Sequence, residues 1–315
     1  MRIVSLLPSA TEIIFALGLG DELVGRTHEC DFPAEAASIP VVTTDLGAAA
    51  GESSREINDR VAASIHRGSS IYALDLDALA AANADLILTQ ELCTVCAVSY
   101  REVAQAVRRM DAHSTVVSLE PTSIEGILNT ISTVGAMAEA EDEAVGLIEL
   151  LRERLARIEN LVLERRLAGV PSRRVVSLEW LEPPFAAGHW VPEQVRRAGG
   201  WDLLGSEGQP AVETTWDRVR DVEPEQLLLM PCGFDAPRTA EEWRRANAVR
   251  PEWIEHLAAI QEGEVYALDG SAYFSRPGPR VIDGIALLAE IFDPGVFTDE
   301  VPAGAWLPVV ASTTS

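Results

Sequence analysis

The chain has 315 residues, of which 47% are hydrophobic, and its 49 acidic and 25 basic residues give a formal net charge of -24. This length allows two domains that each bury a core, and the strong negative charge argues against nucleic acid and anionic membranes as partners. The acidic surface predicted from this composition suits a halophilic, salt-rich cytosol, where salt screens the charge.

The first residues, from Met1 to Pro8, do not have the pattern of an export signal. The apolar run before Pro8 is only a few residues long, whereas a secretory signal has a basic start, a longer apolar core and a cleavage site of small residues. No stretch is long and apolar enough to cross a bilayer. These patterns predict a cytoplasmic protein without membrane insertion, whose cysteines are thiols or metal ligands rather than disulfides.

Short apolar runs alternate with helical patterns along the chain, which predicts an α/β fold. The first unit is a strand at 2–6, followed by a helix that opens at Pro8 and closes at Gly18 and Gly20. Residues 45–54 lack periodicity and are predicted to be a loop. Later strands are predicted at 22–27, 39–43, 85–88, 114–119, 173–178, 226–230 and 263–268, and later helices at 76–82, 99–110, 122–134, 142–167 and 282–291.

The predicted elements divide into two lobes. Residues 1–121 form an N-terminal α/β lobe and residues 171–295 form a C-terminal α/β lobe. The helices at 122–170 connect them, and the segment that ends near Leu167 is long enough for a strut of about 40 Å. Residues 296–315 are predicted to be a peripheral tail.

All four cysteines are predicted to lie on loops that follow strands: Cys30, Cys93, Cys96 and Cys232. In open α/β sheets, ligands bind outside the carboxyl ends of the strands. We therefore expect the four sulfurs to gather at one groove between the lobes.

Several chemistries would use such thiols. Zinc or an iron–sulfur cluster needs several thiolates at bonding distance. A redox pair at a helix N-terminus is less well supported, because Ser99 starts the helix after both Cys93 and Cys96. Thiols and imidazoles could also bind the metal of a chelate, with His28 and His189 as candidate axial ligands. A purely structural role, as small hydrophobic side chains near strand ends, is a further interpretation.

Aromatic residues make up only 6% of the chain, yet several fall on the same predicted loops. Rings at a groove favour a large flat or apolar guest, although they could instead plug the ends of the sheets. Prolines in the 180–192 loop would stiffen such a wall, and Arg276 could contact carboxylates or phosphate of a ligand. The candidate ligand-binding residues are Ser9, Trp180, Phe185, His189, Trp190, Phe234, Tyr273, Phe274 and Arg276. The candidate metal ligands are Cys30, Cys93, Cys96, Cys232, His28 and His189.

The segments SLLPSATEIIFALG at 5–18, LVGRT at 23–27 and DLILT at 85–89 resemble the vitamin B12 and iron-siderophore substrate-binding proteins of ABC importers. The similarity covers nearly the whole chain. It implies a class III periplasmic-binding-protein fold, in which two α/β lobes with mainly parallel sheets are joined by a long backbone helix. It also implies a cobalamin, haem or ferric chelate bound between the lobes, little hinge motion and no enzymatic activity.

The cysteine set is similar to that of a cytosolic subgroup identified as cobalamin-binding. This implies an intracellular binding protein for a corrinoid (cobalamin-like) or related metal chelate held in the interlobe cleft. A cytoplasmic location argues against docking on an ABC transporter. The alternative is a metal- or iron–sulfur-dependent protein, such as a thiol-based enzyme, that uses a four-cysteine cleft site with zinc or a cluster; no catalytic residue is assigned.

Overall fold

The computed structural model describes residues 1–45, 51–66, 72–90, 100–109, 113–246 and 252–309. The chain divides into two compact units, each of which is discontinuous in sequence. Unit 1 comprises Met1–Glu52, Asp59–Pro121 and Glu125–Leu151, and unit 2 comprises Ser53–Asn58, Thr122–Ile124 and Arg152–Ser315.

Unit 1 is built on a parallel sheet. Its strands are β1 (Ile3–Ser5), β2 (Leu23–Arg26), β3 (Thr43–Asp45), β4 (Tyr72–Leu74), β5 (Leu86–Thr89) and β6 (Thr115–Ser118). Four of them pair in parallel in the order β2-β1-β5-β6, and β3 and β4 form a separate antiparallel pair. Strand β1 is completely buried because strands flank it on both sides, as its uninterrupted apolar run predicts.

The helices of the first half of the chain follow the apolar periodicity. They are α1 (Pro8–Ala16), α2 (Ser54–His66), α3 (Leu76–Ala82), α4 (Tyr100–Arg109), α5 (Ile124–Met137) and α6 (Glu141–Leu167). Helix α1 has Pro8 in its first turn and is followed by Gly18 at φ +76°, a left-handed conformation that favours glycine. Helix α3 begins after Asp75, whose side chain accepts a hydrogen bond from the Ala78 N–H.

Helix α2 starts on a buried contact within unit 2. The Glu242 carboxylate accepts hydrogen bonds from the Ser54 N–H at 2.7 Å and the Ser54 hydroxyl at 2.6 Å. Both side chains are buried, and the Trp180 indole N–H donates to the Ser54 carbonyl at 3.1 Å. A carboxylate at this position accepts hydrogen bonds from backbone N–H groups that have no partner within the first turn of a helix.

Unit 2 contains a mixed sheet with a parallel centre. Its strands are β7 (Arg173–Leu181), β8 (Pro184–Ala186), β9 (Gly200–Asp202), β10 (Val212–Glu213), β11 (Gln226–Leu229), β12 (Val265–Leu268) and β13 (Trp306–Pro308). The order is β10-β8-β7-β11-β12-β13, with β9 also paired to β7. Strands β7, β9, β11 and β12 are parallel, whereas β8, β10 and β13 pair in antiparallel fashion. This is the predicted α/β architecture with mainly parallel sheets.

Helices cover the sheet of unit 2. They are α7 (Val191–Arg197), α8 (Trp216–Asp221), α9 (Ala236–Ala246), α10 (Ala258–Gln261), α11 (Gly270–Tyr273) and α12 (Val281–Phe292). One face of the sheet packs Val176, Leu227 and Val265 against Trp243 of α9 and Ile260 of α10, all buried. Burial of such side chains stabilises the fold by about 1.5–3 kcal/mol each.

Several elements differ from the sequence-based expectations. Strand β3 begins where the strand predicted at 39–43 ends, and Val41 forms only an isolated bridge with Arg26. Helix α2 and strands β4 and β8 occur where no element was predicted, and β13 lies in the segment predicted as a tail. The predicted limits of α4, Ser99 and Met110, lie outside the described residues. In the ranges that the structure describes, no helix is long and apolar enough to span a membrane.

Candidate functional site

The carboxyl ends of the parallel strands in unit 1 share one edge of the sheet, and buried hydroxyl groups line it. The Ser5 hydroxyl donates to the Leu7 carbonyl at 2.8 Å, and the Thr11 hydroxyl donates to Ser5 Oγ at 2.9 Å. Thr11 Oγ1 also lies 2.9 Å from Cys30 Sγ. Cys30 is only 3% exposed, so its thiol is part of a buried polar cluster. Ser9, on α1, is buried as well.

A second polar group at this edge surrounds His28, directly after β2. The Thr43 hydroxyl donates to Thr27 Oγ1 at 2.9 Å, and Thr43 Oγ1 accepts the His28 N–H at 3.0 Å. The same oxygen lies 2.8 Å from His28 Nδ1. The imidazole ring lies 5.0 Å from the Tyr72 ring, measured between centroids. Sequence reasoning singled out His28 but assigned no role to Thr27, Thr43 or Tyr72. Thr43 and Tyr72 reach the histidine through the pairing of β3 and β4.

The far nitrogen of His28 has an unusual environment. Nε2 is buried, and no hydrogen-bond partner for it occurs within the described ranges. Glu29 Oε1 lies 3.4 Å away and pairs with it when the imidazole carries a proton. The loop that holds the ring is braced by Arg26, whose guanidinium donates to the carbonyls of Thr27 and Cys30 at 3.1 Å.

In unit 2, aromatic side chains follow the ends of β7 and β11. The rings of Trp180 and Phe234 lie 5.5 Å apart, and the Arg238 guanidinium lies 3.8 Å from the centre of the Phe234 ring. Trp180 pairs with Phe185 across the hairpin of β7 and β8. Trp180 and Phe185 are partly exposed, whereas Phe234 is buried.

The other predicted ring residues of unit 2 are buried. Trp190 is 5% exposed and donates its indole N–H to the Phe274 carbonyl at 2.8 Å, and Phe274 is 1% exposed. Tyr273 and Arg276 are also buried. The rings therefore fill the interior of unit 2, as expected if they plug the ends of the sheet. Their assignment as ligand-binding residues stays a prediction.

His189 lies on a constrained turn of unit 2. Its φ is +49°, and its carbonyl accepts the Gly208 N–H at 2.8 Å. At the preceding Gly188, an added Cβ would come within 2.2 Å of the Ala211 backbone nitrogen, so this close approach requires glycine. Burial lowers the pKa of His189, which favours its neutral, metal-binding form.

The cysteines have contrasting environments. Cys30 is buried in unit 1, Cys232 is exposed in unit 2, and Cys93 and Cys96 lie outside the described residues. Over the part of the chain that the structure describes, no three His, Cys, Asp or Glu side chains come together as a metal site. The shared four-cysteine site with zinc or a cluster therefore stays a prediction without structural support.

Unit 2 also has a pocket of about 390 Å³ that the sequence did not indicate. It lies beside β8 and β10 and is lined by Ala186, Leu204, Val212, Glu213, Thr214, Thr215 and Arg218. Most of these residues are polar or small, and none belongs to a recognisable motif. Its lining contains no ring that would stack on a macrocycle.

Comparison with known proteins identifies the family. The sequence model described as "Periplasmic binding protein" matches residues 3–272. A Bacillus subtilis protein named "Uncharacterized ABC transporter substrate-binding lipoprotein YvrC" is 24% identical over 305 residues, which covers 95% of this chain and 82% of that protein. The "Vitamin B12-binding protein" of Vibrio cholerae is 23% identical over 287 residues, which covers 90% and 86%.

Solved structures support the same fold. The periplasmic vitamin B12 binding protein BtuF of Vibrio cholerae superposes with a TM-score of 0.64 at 20% identity, over 92% of this chain and 96% of that chain. A periplasmic heme binding protein from Pseudomonas aeruginosa gives a TM-score of 0.70 at 18% identity, over 94% and 93%.

These relatives correct one expectation. The predicted cytoplasmic location is wrong, because the relatives are named as a lipoprotein and as periplasmic proteins. The prediction of a cytoplasmic location relied on the first residues of the sequence, and their pattern does not establish the compartment of the protein. The match over residues 3–272 extends across the described parallel sheets, and the chain belongs to the periplasmic binding protein family, with its class III fold.

Proposed function

We propose that this protein is a substrate-binding protein for a corrinoid, such as a cobalamin, or for a related metal chelate. The observation that carries this proposal is the similarity to proteins named for vitamin B12 binding, which extends over 90% of the chain. Fold neighbours named for vitamin B12 and heme binding support the same class of ligand. Both ligands are large macrocycles that hold a metal in their plane.

The strand-end loops offer suitable chemistry for such a guest. In unit 2, Trp180 and Phe185 keep part of their surface exposed on the β7–β8 hairpin, and aromatic faces bind flat apolar ligands well. The buried rings of Trp190, Phe234 and Phe274 would hold this hairpin in place. His28 and His189 are the candidate contacts to the metal, because neutral imidazole is a common metal ligand.

We further propose that the protein works outside the cytoplasm and delivers its ligand to an ABC transporter. The support is the naming of its relatives as an ABC transporter substrate-binding lipoprotein and as periplasmic binding proteins. This reverses the expectation that a transporter is not a partner.

Titration of the purified full chain with aquacobalamin, cobinamide and hemin tests the proposal. We expect dissociation constants on the order of 1 µM or below for at least one of them, measured by calorimetry and by quenching of tryptophan fluorescence. Absence of binding by all three at about 100 µM would refute it.

A pair of tryptophan variants tests the placement of the ligand. Trp180→Ala should weaken binding about tenfold, because it removes a stacking surface. Trp201→Ala is the matched control, since Trp201 is 62% exposed and pairs with Arg174 near the start of β7, far along the strand from Trp180. Equal affinities of the two variants would contradict the assignment of Trp180.

A further inference from the structure

We propose that the pocket beside β8 and β10 in unit 2 is a second binding site, which takes a small zwitterion with an apolar side chain, a free amino acid. This inference goes beyond the proposed function and does not depend on it. The pocket has a volume of about 390 Å³, near the lower end of the range for small-molecule sites, about 300–1,000 Å³. An amino acid fits into this space, whereas a corrinoid is much too large for it.

The lining of the pocket contains one acidic and one basic side chain, Glu213 on β10 and Arg218 on α8. Within the described ranges, neither side chain forms an ion pair or a hydrogen bond, with the other or with any further residue. The chain has 49 acidic residues against 25 basic ones, so an arginine without a carboxylate partner is unexpected. On the same helix, Arg220 pairs with Asp217 and Asp221. Arg218 and Glu213 can therefore bind the carboxylate and the ammonium group of one ligand.

The rest of the lining combines hydroxyl groups with apolar side chains. Thr215 Oγ1 accepts the Arg218 N–H at 3.2 Å, and its own hydrogen is left for a contact with a ligand. The apolar part of the lining consists of Ala186, Leu204 and Val212. A ligand that carries one hydrophobic substituent gains free energy by burying it against these side chains. The lining is thus complementary to an amino acid with an aliphatic side chain.

Hydrogen bonds fix the walls of the pocket before a ligand binds. Strand β10 pairs with β8, and the Thr214 N–H donates to the Pro184 carbonyl at 2.8 Å. The buried Asp202 carboxylate accepts the Leu204 N–H at 3.1 Å, and the Thr215 side chain caps helix α8. A preformed site loses little conformational entropy on binding.

The two charged side chains of the pocket are exposed. Water and salt therefore screen their charges, and each contact with a ligand is weak. We expect dissociation constants of about 0.1–1 mM for L-leucine. Selectivity should come from the combination of both charges with the apolar side chain, because none of these contacts is strong by itself.

The first experiment titrates the full chain with L-leucine and three analogues in the absence of any chelate, followed by saturation-transfer NMR. 4-Methylpentanoate lacks the ammonium group, isoamylamine lacks the carboxylate, and glycine lacks the apolar side chain. Each should bind about fivefold more weakly than leucine. No binding of leucine at about 10 mM, or an analogue that binds as tightly as leucine, would overturn the inference. The proposed function would be unaffected, since the titrations with corrinoids and hemin test it separately.

Variants of the two charged residues assign each contact. Arg218→Gln and Glu213→Gln should each weaken leucine binding about fivefold. Arg218→Gln should leave the binding of isoamylamine unchanged, because this analogue has no carboxylate, and Glu213→Gln should likewise leave that of 4-methylpentanoate unchanged. Arg220→Gln is the matched control, since Arg220 is exposed on the same helix and is not part of the lining. Unchanged leucine binding in both pocket variants, or an equal loss in the control, would overturn the assignment.

A second measurement needs no variant and so does not depend on how a variant folds. Photo-leucine carries a diazirine in its side chain and labels nearby residues when it is irradiated. Peptide mass spectrometry should locate the label in the segments that contain Ala186, Leu204 or Val212, and excess L-leucine should suppress it. Labelling that occurs only elsewhere, or that excess leucine does not reduce, would overturn the inference.

Discussion

The strand-end loops of the two units use similar scaffolds but carry different side chains. In unit 1, hydroxyl groups of Ser5, Thr11 and Thr43 organise Cys30 and His28. In unit 2, the loops after β7 and β11 are dominated by rings, with Trp180 packed on Phe234. Parallel strands therefore provide a common location for a site, whereas the few residues after each strand determine its chemistry.

The cysteines show this difference most clearly. Cys30 and Cys232 both follow a strand, yet the first is buried beside a threonine hydroxyl and the second is exposed. Their positions in the sequence are equivalent, but their expected reactivities are not. A pattern of cysteines at strand ends is therefore weak evidence for a shared centre.

Thiol alkylation should give the largest contrast between the units. Cys232 should react quickly with N-ethylmaleimide, whereas Cys30 should react about a thousandfold more slowly, because it must wait for local opening of unit 1. Peptide mass spectrometry after short exposures resolves each cysteine, and urea-unfolded protein is the control. Equal rates in the folded protein would show that the Cys30 cluster is not closed.

The aromatic interior of unit 2 should contribute strongly to stability. Trp190→Ala removes a buried ring and the donor to the Phe274 carbonyl, with an expected loss of about 3–5 kcal/mol in the free energy of unfolding. Trp201→Ala, at an exposed ring, should change it by less than about 0.5 kcal/mol. Urea denaturation measures both, and similar losses would contradict the packing described for unit 2.

A buried carboxyl in unit 2 should make the free energy of unfolding depend on pH. Asp202 accepts hydrogen bonds from Leu204 and Gly205, but burial raises its pKa. The folded state therefore keeps this proton to a higher pH than the unfolded chain. The stability that comes from protonated Asp202 is fully present below the pKa of the unfolded chain and is lost as the pH rises through the pKa of the folded state. The loss is at most about 1.4 kcal/mol per pH unit.

The variant Asp202→Asn should remove this part of the pH dependence, since it stays neutral and can still accept both hydrogen bonds. Asp217→Asn, at an exposed carboxyl on α8, should leave it unchanged. Urea midpoints measured from about pH 4 to 8 provide the comparison. An unaltered profile in Asp202→Asn would show that this carboxyl does not titrate differently on folding.

The smallest expected effect concerns the edge of the aromatic group. Arg238→Gln removes the guanidinium over the Phe234 ring and should cost about 0.5–1 kcal/mol. Arg244→Gln, at an exposed position of the same helix, is the control and should have almost no effect. If Arg238→Gln lowered the free energy of unfolding by less than Arg244→Gln does, the result would argue against the contact between Arg238 and the Phe234 ring.

Local patterns predicted much of the fold but little of the site geometry. Helix α3 was predicted at its observed limits, and the structure shows that Asp75 caps it. Helix α2 was missed because few of its residues are apolar, and its start depends on Glu242, far away in sequence. Strand β8 was missed because two prolines precede or begin it, and prolines are uncommon within sheets.

Local sequence patterns were also insufficient to predict the contacts within the candidate site. Motifs located His28 at the end of a strand, but the side chain that contacts its ring, Thr43, lies fifteen residues further along the chain. Burial of the rings at Trp190 and Phe274 arises from contacts between distant segments. Such contacts carry no periodic or motif signal, so only the folded structure separates rings that fill the core from rings that remain partly exposed.

The start of helix α2 has a practical consequence for dissecting the molecule. A fragment that begins at Arg152 would lack Ser53–Asn58, although these residues belong to unit 2. The Glu242 carboxylate would then lose both hydrogen bonds from Ser54, and an uncompensated buried charge typically costs about 3–5 kcal/mol. A stable version of unit 2 alone should therefore carry this short peptide, fused or added in trans, or replace Glu242 with an apolar residue.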